Sequence, residues 1–177
     1  MTDIDLTVTE NVTAALDRAI ALGEDLTPAM KAIVVMMTAA TRDNFDAQAS
    51  PVGVPWQKRK PHPGKADFPH PILNLSGDLR DSQRENWGPD FAESGPETSG
   101  GAGIYARIHQ LGGVIRPRAD NKSGVLNTPF GFLKSVTMPA RPYLGWNDRM
   151  RERAVDILLQ FVRDRFESDS GPETALS

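Results

Sequence analysis

Residues 27–47 read TPAMKAIVVMMTAATRDNFDA, and this stretch decides the fold. Thr27 followed by Pro28 matches a helix start, because a proline at the first helical position loses no hydrogen bond. From there Met30, Ile33, Val34, Met37, Thr41 and Phe45 recur at three- and four-residue steps. That spacing predicts one long helix with a single apolar stripe, ending near residue 47. Met30, Met36 and Met37 read as core filling on this stripe rather than as a cofactor groove.

On either side the pattern is sparser. Residues ~10–23 predict a short amphipathic helix, with Val12, Ala15, Leu16, Ala19 and Leu22 on one side and Gly23 as its stop. Residues 50–71 contain Pro51, Pro55, Pro61, Pro63, Pro69 and Pro71, which forbid a regular helix or a central strand and predict a long loop. Ser76 fits the cap of a short helix of one or two turns whose third position is Leu79. Residues ~83–115 read as strands separated by turns, with Ile104–His109 open to either a strand or a short helix ending at Gly112-Gly113. Residues 116–128 form a second irregular stretch. A final helix begins after Asn147, carries Met150, Ala154, Ile157, Leu158 and Phe161 inward, and ends near Phe166. The expected architecture is α+β: a small, mainly antiparallel sheet packed against the long helix and the C-terminal helix, with loops 50–71 and 116–128 projecting. Residues 1–167 are read as one domain and 168–177 as a polar tail.

Composition fits a modest core with long connections. Hydrophobic residues other than glycine make up 39% of the 177. There are 15 glycines and 14 prolines. No cysteine is present, which excludes disulfides, thiol catalysis and Cys-ligated zinc. The net charge of −3 is unevenly spread: three basic against eight acidic residues in 1–50, twelve against eight in 51–145, and five against seven in 146–177. No signal peptide is visible and no apolar run approaches the ~18 residues that span a bilayer, so no membrane partner is expected.

Motifs of enzymes are missing. The chain has no phosphate-binding glycine loop, no nucleophile elbow and no His-Glu-x-x-His. His62 and His70 flank Asp67 in a proline-rich loop that enforces no ligand geometry, so no metal and no cofactor are expected. His109 reads as a packed histidine, and Asp78 with Asp81 as solvated or capping groups. An enzyme is not expected. Trp56 beside Lys58, Arg59 and Lys60, and Arg116, Arg118 and Lys122 in the second loop, suit phosphate contacts or base stacking, which keeps a DNA-contacting factor as the alternative.

Four pieces in order carry a resemblance: Gly53-Val54-Pro55-Trp56 after a helix ending in Asn44-Phe45-Asp46; Ile72–Ser82; Tyr105-Ala106-Arg107-Ile108-His109-Gln110-Leu111-Gly112-Gly113; and Pro139-Ala140-Arg141-Pro142-Tyr143-Leu144-Gly145 before the last helix. From residue 29 to 162 the chain resembles the virion morphogenesis family of tailed bacteriophages, which includes tail completion proteins of Mu-like and P2-like phages and is similar to neck and tail-terminator proteins. The resemblance implies a structural protein of the head-to-tail connection or tail end, a ring of six copies that caps the tail tube. Its partners would be copies of itself, the tail tube protein and a head–tail connector or stopper, with non-specific contact to DNA in the channel. It would reside in the virion, in the neck or tail, after assembly in the host cytoplasm. On that reading Trp56, Lys58, Arg59, Lys60, Tyr105, His109, Gln110, Arg116, Arg118, Arg141 and Tyr143 face neighbouring subunits or those partners.

Overall fold

The computed structural model describes residues 25–59, 70–74, 76–97, 101–128 and 131–169. The expected helix at ~10–23, the loop residues Lys60, His62, Lys65 and Asp67, and residues 170–177 of the tail lie outside the described residues. Helix α1 spans Thr27–Ala47. It starts one residue earlier than Thr27 as a cap would imply. The Leu26 carbonyl accepts from Met30 N–H at 3.0 Å, and the Asp25 carboxylate accepts from Thr27 N–H at 3.0 Å. Asp25 is therefore the capping side chain, and its bonds to Thr27 lower its pKa. The buried positions are Leu26, Ala29, Ile33, Val34, Thr38, Thr41 and Phe45. Of the stripe read from the sequence, Ile33, Val34, Thr41 and Phe45 are buried, whereas Met30 and Met37 are half-buried, as is Met36, and Ala29 and Thr38 take the inner positions instead.

The helix closes with a Schellman motif: Ala49 N–H bonds the Asn44 carbonyl at 3.1 Å, and Gln48 N–H bonds the Phe45 carbonyl at 3.2 Å. Gln48 sits at φ 51°, a left-handed position where glycine is usual. Its side chain compensates by accepting from Ile72 N–H at 2.8 Å.

After α1 come helix α2 (Asp78–Asp81), strands β1 (Gln83–Trp87) and β2 (Ala92–Pro96), helix α3 (Gly101–Leu111), strands β3 (Gly113–Ile115), β4 (Leu126–Thr128), β5 (Gly131–Leu133) and β6 (Val136–Met138), and helix α4 (Asp148–Asp169). The fold is α+β. Among the described residues its strands fall into three two-stranded sheets: β1 with β2, β3 with β6, and β4 with β5. The segment left open between strand and helix is helical, α3. Helix α2 is one turn, and its N-cap is Gly77 at φ 87° rather than Ser76. Helix α4 begins after Asn147 as expected; Asn147 caps it, its Oδ1 accepting from Met150 N–H at 2.8 Å, and the helix continues three residues past Phe166.

The chain groups into two compact units. One contains, among the described residues, 25–37, Glu85–Glu93 and 147–169; the other contains Thr38–Arg84 and Ser94–Trp146. In the first, Leu26, Ala29, Ile33, Val34 and Met150 are buried, and the Lys31 ammonium lies 5.4 Å from the centre of the Trp87 ring. In the second, Phe45, Trp56, Leu79, Ala106 and Tyr143 form one buried cluster, with Ile72, Leu73 and Leu144 packed against it.

Candidate functional site

The second unit is organised around the corner Pro139–Gly145, which has no helix or strand of its own to hold it. Side chains from three other segments do so. From α3, Gln110 Oε1 accepts from Tyr143 N–H at 3.0 Å and Leu144 N–H at 3.1 Å, while its Nε2 donates to the Leu144 carbonyl at 2.8 Å. From α1, Asn44 Nδ2 donates to the Tyr143 carbonyl at 3.0 Å. From the loop after α1, Trp56 Nε1 donates to the Pro142 carbonyl at 2.8 Å. The His109 carbonyl accepts from Arg141 N–H at 2.7 Å. Backbone groups that an irregular buried segment would leave orphaned are thus satisfied, which is the condition for burying it.

Aromatic packing completes the clamp. The Phe45 ring meets Trp56 edge-on at 5.6 Å and lies 5.2 Å from Tyr143. Trp56 reaches this place because residues 48–56 fold back on themselves: Trp56 N–H bonds the Gln48 carbonyl at 2.8 Å, Ser50 N–H bonds the Val54 carbonyl at 2.8 Å, and Ala49 bridges Pro55. Gly53 turns the chain at φ 80°. This part of the proline-rich stretch is therefore a tight turn rather than a projection, with Pro51 and Pro55 where no N–H donor is required.

These contacts correct three of the expected surface residues. Trp56, Arg141 and Tyr143 are 5%, 5% and 1% exposed and point into the unit, because a clamp of hydrogen bonds and rings draws them inward. Burial pushes the Tyr143 hydroxyl up to about 12. The Arg141 guanidinium donates through Nε to the Gln57 carbonyl at 3.0 Å, and burial first, then the nearby Arg59 charge, lowers its pKa. Gln110 is half-buried in the same clamp. His109 is half-buried beside Tyr105, with ring centres 6.5 Å apart, and its Nδ1 is buried without a hydrogen-bond partner among the described residues. Burial and, secondly, Arg141 lower its pKa. Of the remaining expected residues, Tyr105 and Lys58 are exposed, Arg59 donates to the Pro71 carbonyl, and Lys60 lies outside the described residues.

Arg116 and Arg118 are exposed on a separate feature. Strands β3 and β6 pair antiparallel, Gly113 with Met138 and Ile115 with Val136, so the described residues 116–128 and 131–135 leave and return at one point as an arm. The arm ends in a second antiparallel ribbon, Leu126 opposite Leu133 and Thr128 opposite Gly131. Its first part is ordered locally by Asn121, whose Oδ1 accepts from Ser123 N–H at 3.0 Å and whose Nδ2 donates to the Val125 carbonyl at 2.9 Å. Phe132 on the arm is 74% exposed. Neither that exposure nor the Asn44 bond across 99 residues has a local signal in the sequence.

A cleft of about 390 Å³ lies between the loop and the corner, lined by residues such as Pro51, Val54, Pro142, Leu144 and Trp146, with no titratable side chain in its lining. Among the described residues no three His, Asp or Glu side chains converge as a metal site, and no helix is long and apolar enough to cross a membrane.

The profile of the phage virion morphogenesis family matches residues 7–163. The chain belongs to this family. It is 28% identical over 168 residues to the "Putative capsid assembly protein G" of Escherichia phage Mu, covering 90% of this chain and 88% of that protein. No solved structure matches the chain. The match spans every clamp residue, including Asn44, Trp56, Gln110 and Tyr143, so the four pieces that carried the resemblance are the pieces that build one core. The protein is thus a phage morphogenesis protein with a structural or assembly role.

Proposed function

We propose that the protein completes the phage tail or the head-to-tail connection: copies form a ring, six by family resemblance, that caps the tail tube and offers a docking face to the head. The observation that carries this reading is the family match over residues 7–163, taken with a clamp built to fix backbone and not to move protons. The clamp uses neutral amides, an indole and aromatic rings beside the buried Arg141 guanidinium, which donates to a backbone carbonyl, and His109 meets it through its own backbone carbonyl. Such a device suits a protein that holds a surface in place for others to meet. The partners on this reading are the protein itself, the tail tube protein and a connector or stopper, with residence in the neck or tail of the virion.

The test is electron microscopy of particles made without this chain. Filled heads separated from tails, or tails of irregular length, are expected; tails of normal length joined to full heads overturn the reading. A second reading, a packaging or assembly factor that contacts DNA, is favoured by Arg116, Arg118, Lys122 and Lys134, exposed on one arm. Duplex binding that falls steeply with salt supports it, and no measurable binding at low salt removes it.

A further inference from the structure

We propose that the arm 116–135 of one copy docks on the β1–β2 hairpin of a second copy of this chain. The proposal rests on the reading above that copies assemble, and it names the contact that joins them. The arm carries Arg116, Arg118, Lys122 and Lys134 against one acid, Asp120, all exposed. None of these cations is in an ion pair among the described residues. The hairpin has the opposite balance: Glu85, Asp90, Glu93 and Glu97 against Arg84. Arg84 pairs with Glu97 at 3.2 Å, leaving Glu85, Asp90 and Glu93 exposed with no cation of their own among the described residues. Each half also presents an aromatic ring to solvent, Phe132 at 74% and Phe91 at 40% exposure.

Charge complementarity therefore selects a second copy as the occupant. Opposite charges steer two surfaces together and fix their register, while each ring supplies apolar area. The arm meets its partner already shaped, since the Asn121 turn and the Ile115–Val136 pairing hold it, which lowers the ordering cost of docking. Arm and hairpin are different surfaces of one chain, so the contact is heterologous and repeats from copy to copy, the geometry that closes into a ring.

The test uses the full chain in two variants, an arm reversal (Arg116→Glu, Arg118→Glu, Lys122→Glu) and a hairpin reversal (Glu85→Lys, Asp90→Lys, Glu93→Lys), followed by sedimentation at low and high salt. Wild type should self-associate and weaken as salt screens the charges. Each reversal alone sets like charges against like and should associate on the order of a hundredfold more weakly. An equal mixture should regain association, because each arm then finds a hairpin of opposite sign. Should a reversal fail to fold by circular dichroism, the corresponding Gln or Asn neutralisations replace it, with a reduced salt slope expected.

A monomeric wild type at low salt and the highest attainable concentration overturns the contact. So does a single reversal that associates like wild type, as a DNA-binding arm would permit, or a mixture that stays dissociated. Placement in the particle is read separately by microscopy. Copies that join through arm and hairpin yet are absent from neck and tail leave this contact standing and remove the tail-completion reading.

Discussion

Replacing Gln110 with alanine tests the clamp at its centre. The change removes an acceptor from two backbone N–H groups and a donor from one carbonyl. Tyr143 is 1% exposed, so water cannot replace the bond to its N–H, and an unsatisfied buried donor costs ~1–3 kcal/mol. Leu144 is half-buried, so its two bonds are partly replaced by water and contribute about 0.5 kcal/mol each, the low end of the usual range. Alanine returns a few tenths of a kcal/mol in helix propensity. The expected loss is therefore ~2–4 kcal/mol, or about 4–16 °C in Tm for a chain of this size. Urea unfolding followed by Trp fluorescence should show a lower midpoint with an unchanged slope. Gln110→Met keeps the side-chain volume but not the bonds, and it should lose nearly as much. A methionine variant as stable as wild type would refute the reasoning, because packing and not hydrogen bonding would then hold the corner.

Gly112 lies at φ +69°, and a Cβ there would meet the Ala140 nitrogen at 2.7 Å and the Met138 oxygen at 3.0 Å. Gly112→Ala should therefore lower Tm clearly more than Gly124→Ala, where φ is +63° but the space is open, so that only the left-handed strain of ~1–2 kcal/mol applies. His109 has its pKa below the ordinary 6.5, so the unfolded chain takes up a proton first as pH falls. Stability should be full above 6.5 and decline from there toward the lower folded pKa, and in His109→Gln this decline should be shallower in urea midpoints measured from pH 7.5 to 5. Replacing 116–135 with an Asn-Gly turn keeps the Ile115–Val136 pair and should leave the unfolding free energy within about 0.5 kcal/mol while abolishing self-association.

Much of the fold was legible where signals are local. Most of the stripe of α1, its stop near residue 47 and the start of α4 after Asn147 are written within one or two turns of chain. Local sequence places the start of α1 one residue late, because Thr27 and Asp25 are both good caps and only the bond made decides between them. Trp56, Arg141 and Tyr143 looked like surface because their neighbours are prolines and cations, which describe a loop but not what the loop packs on. Their burial depends on bonds such as Trp56 to Pro142, 86 residues apart, and Asn44 to Tyr143, 99 apart. No periodicity reports separations of that kind. The family resemblance placed the same residues at an interface, although its four pieces all contribute side chains to the one buried cluster.

The most direct test of a ring at the tail end or neck is a reconstruction of the intact particle at a resolution that traces this chain. The account predicts repeated copies around the tail axis at the head-proximal end, each arm on its neighbour's β1–β2 hairpin. Copies found in the capsid shell, or none in neck and tail, would contradict it.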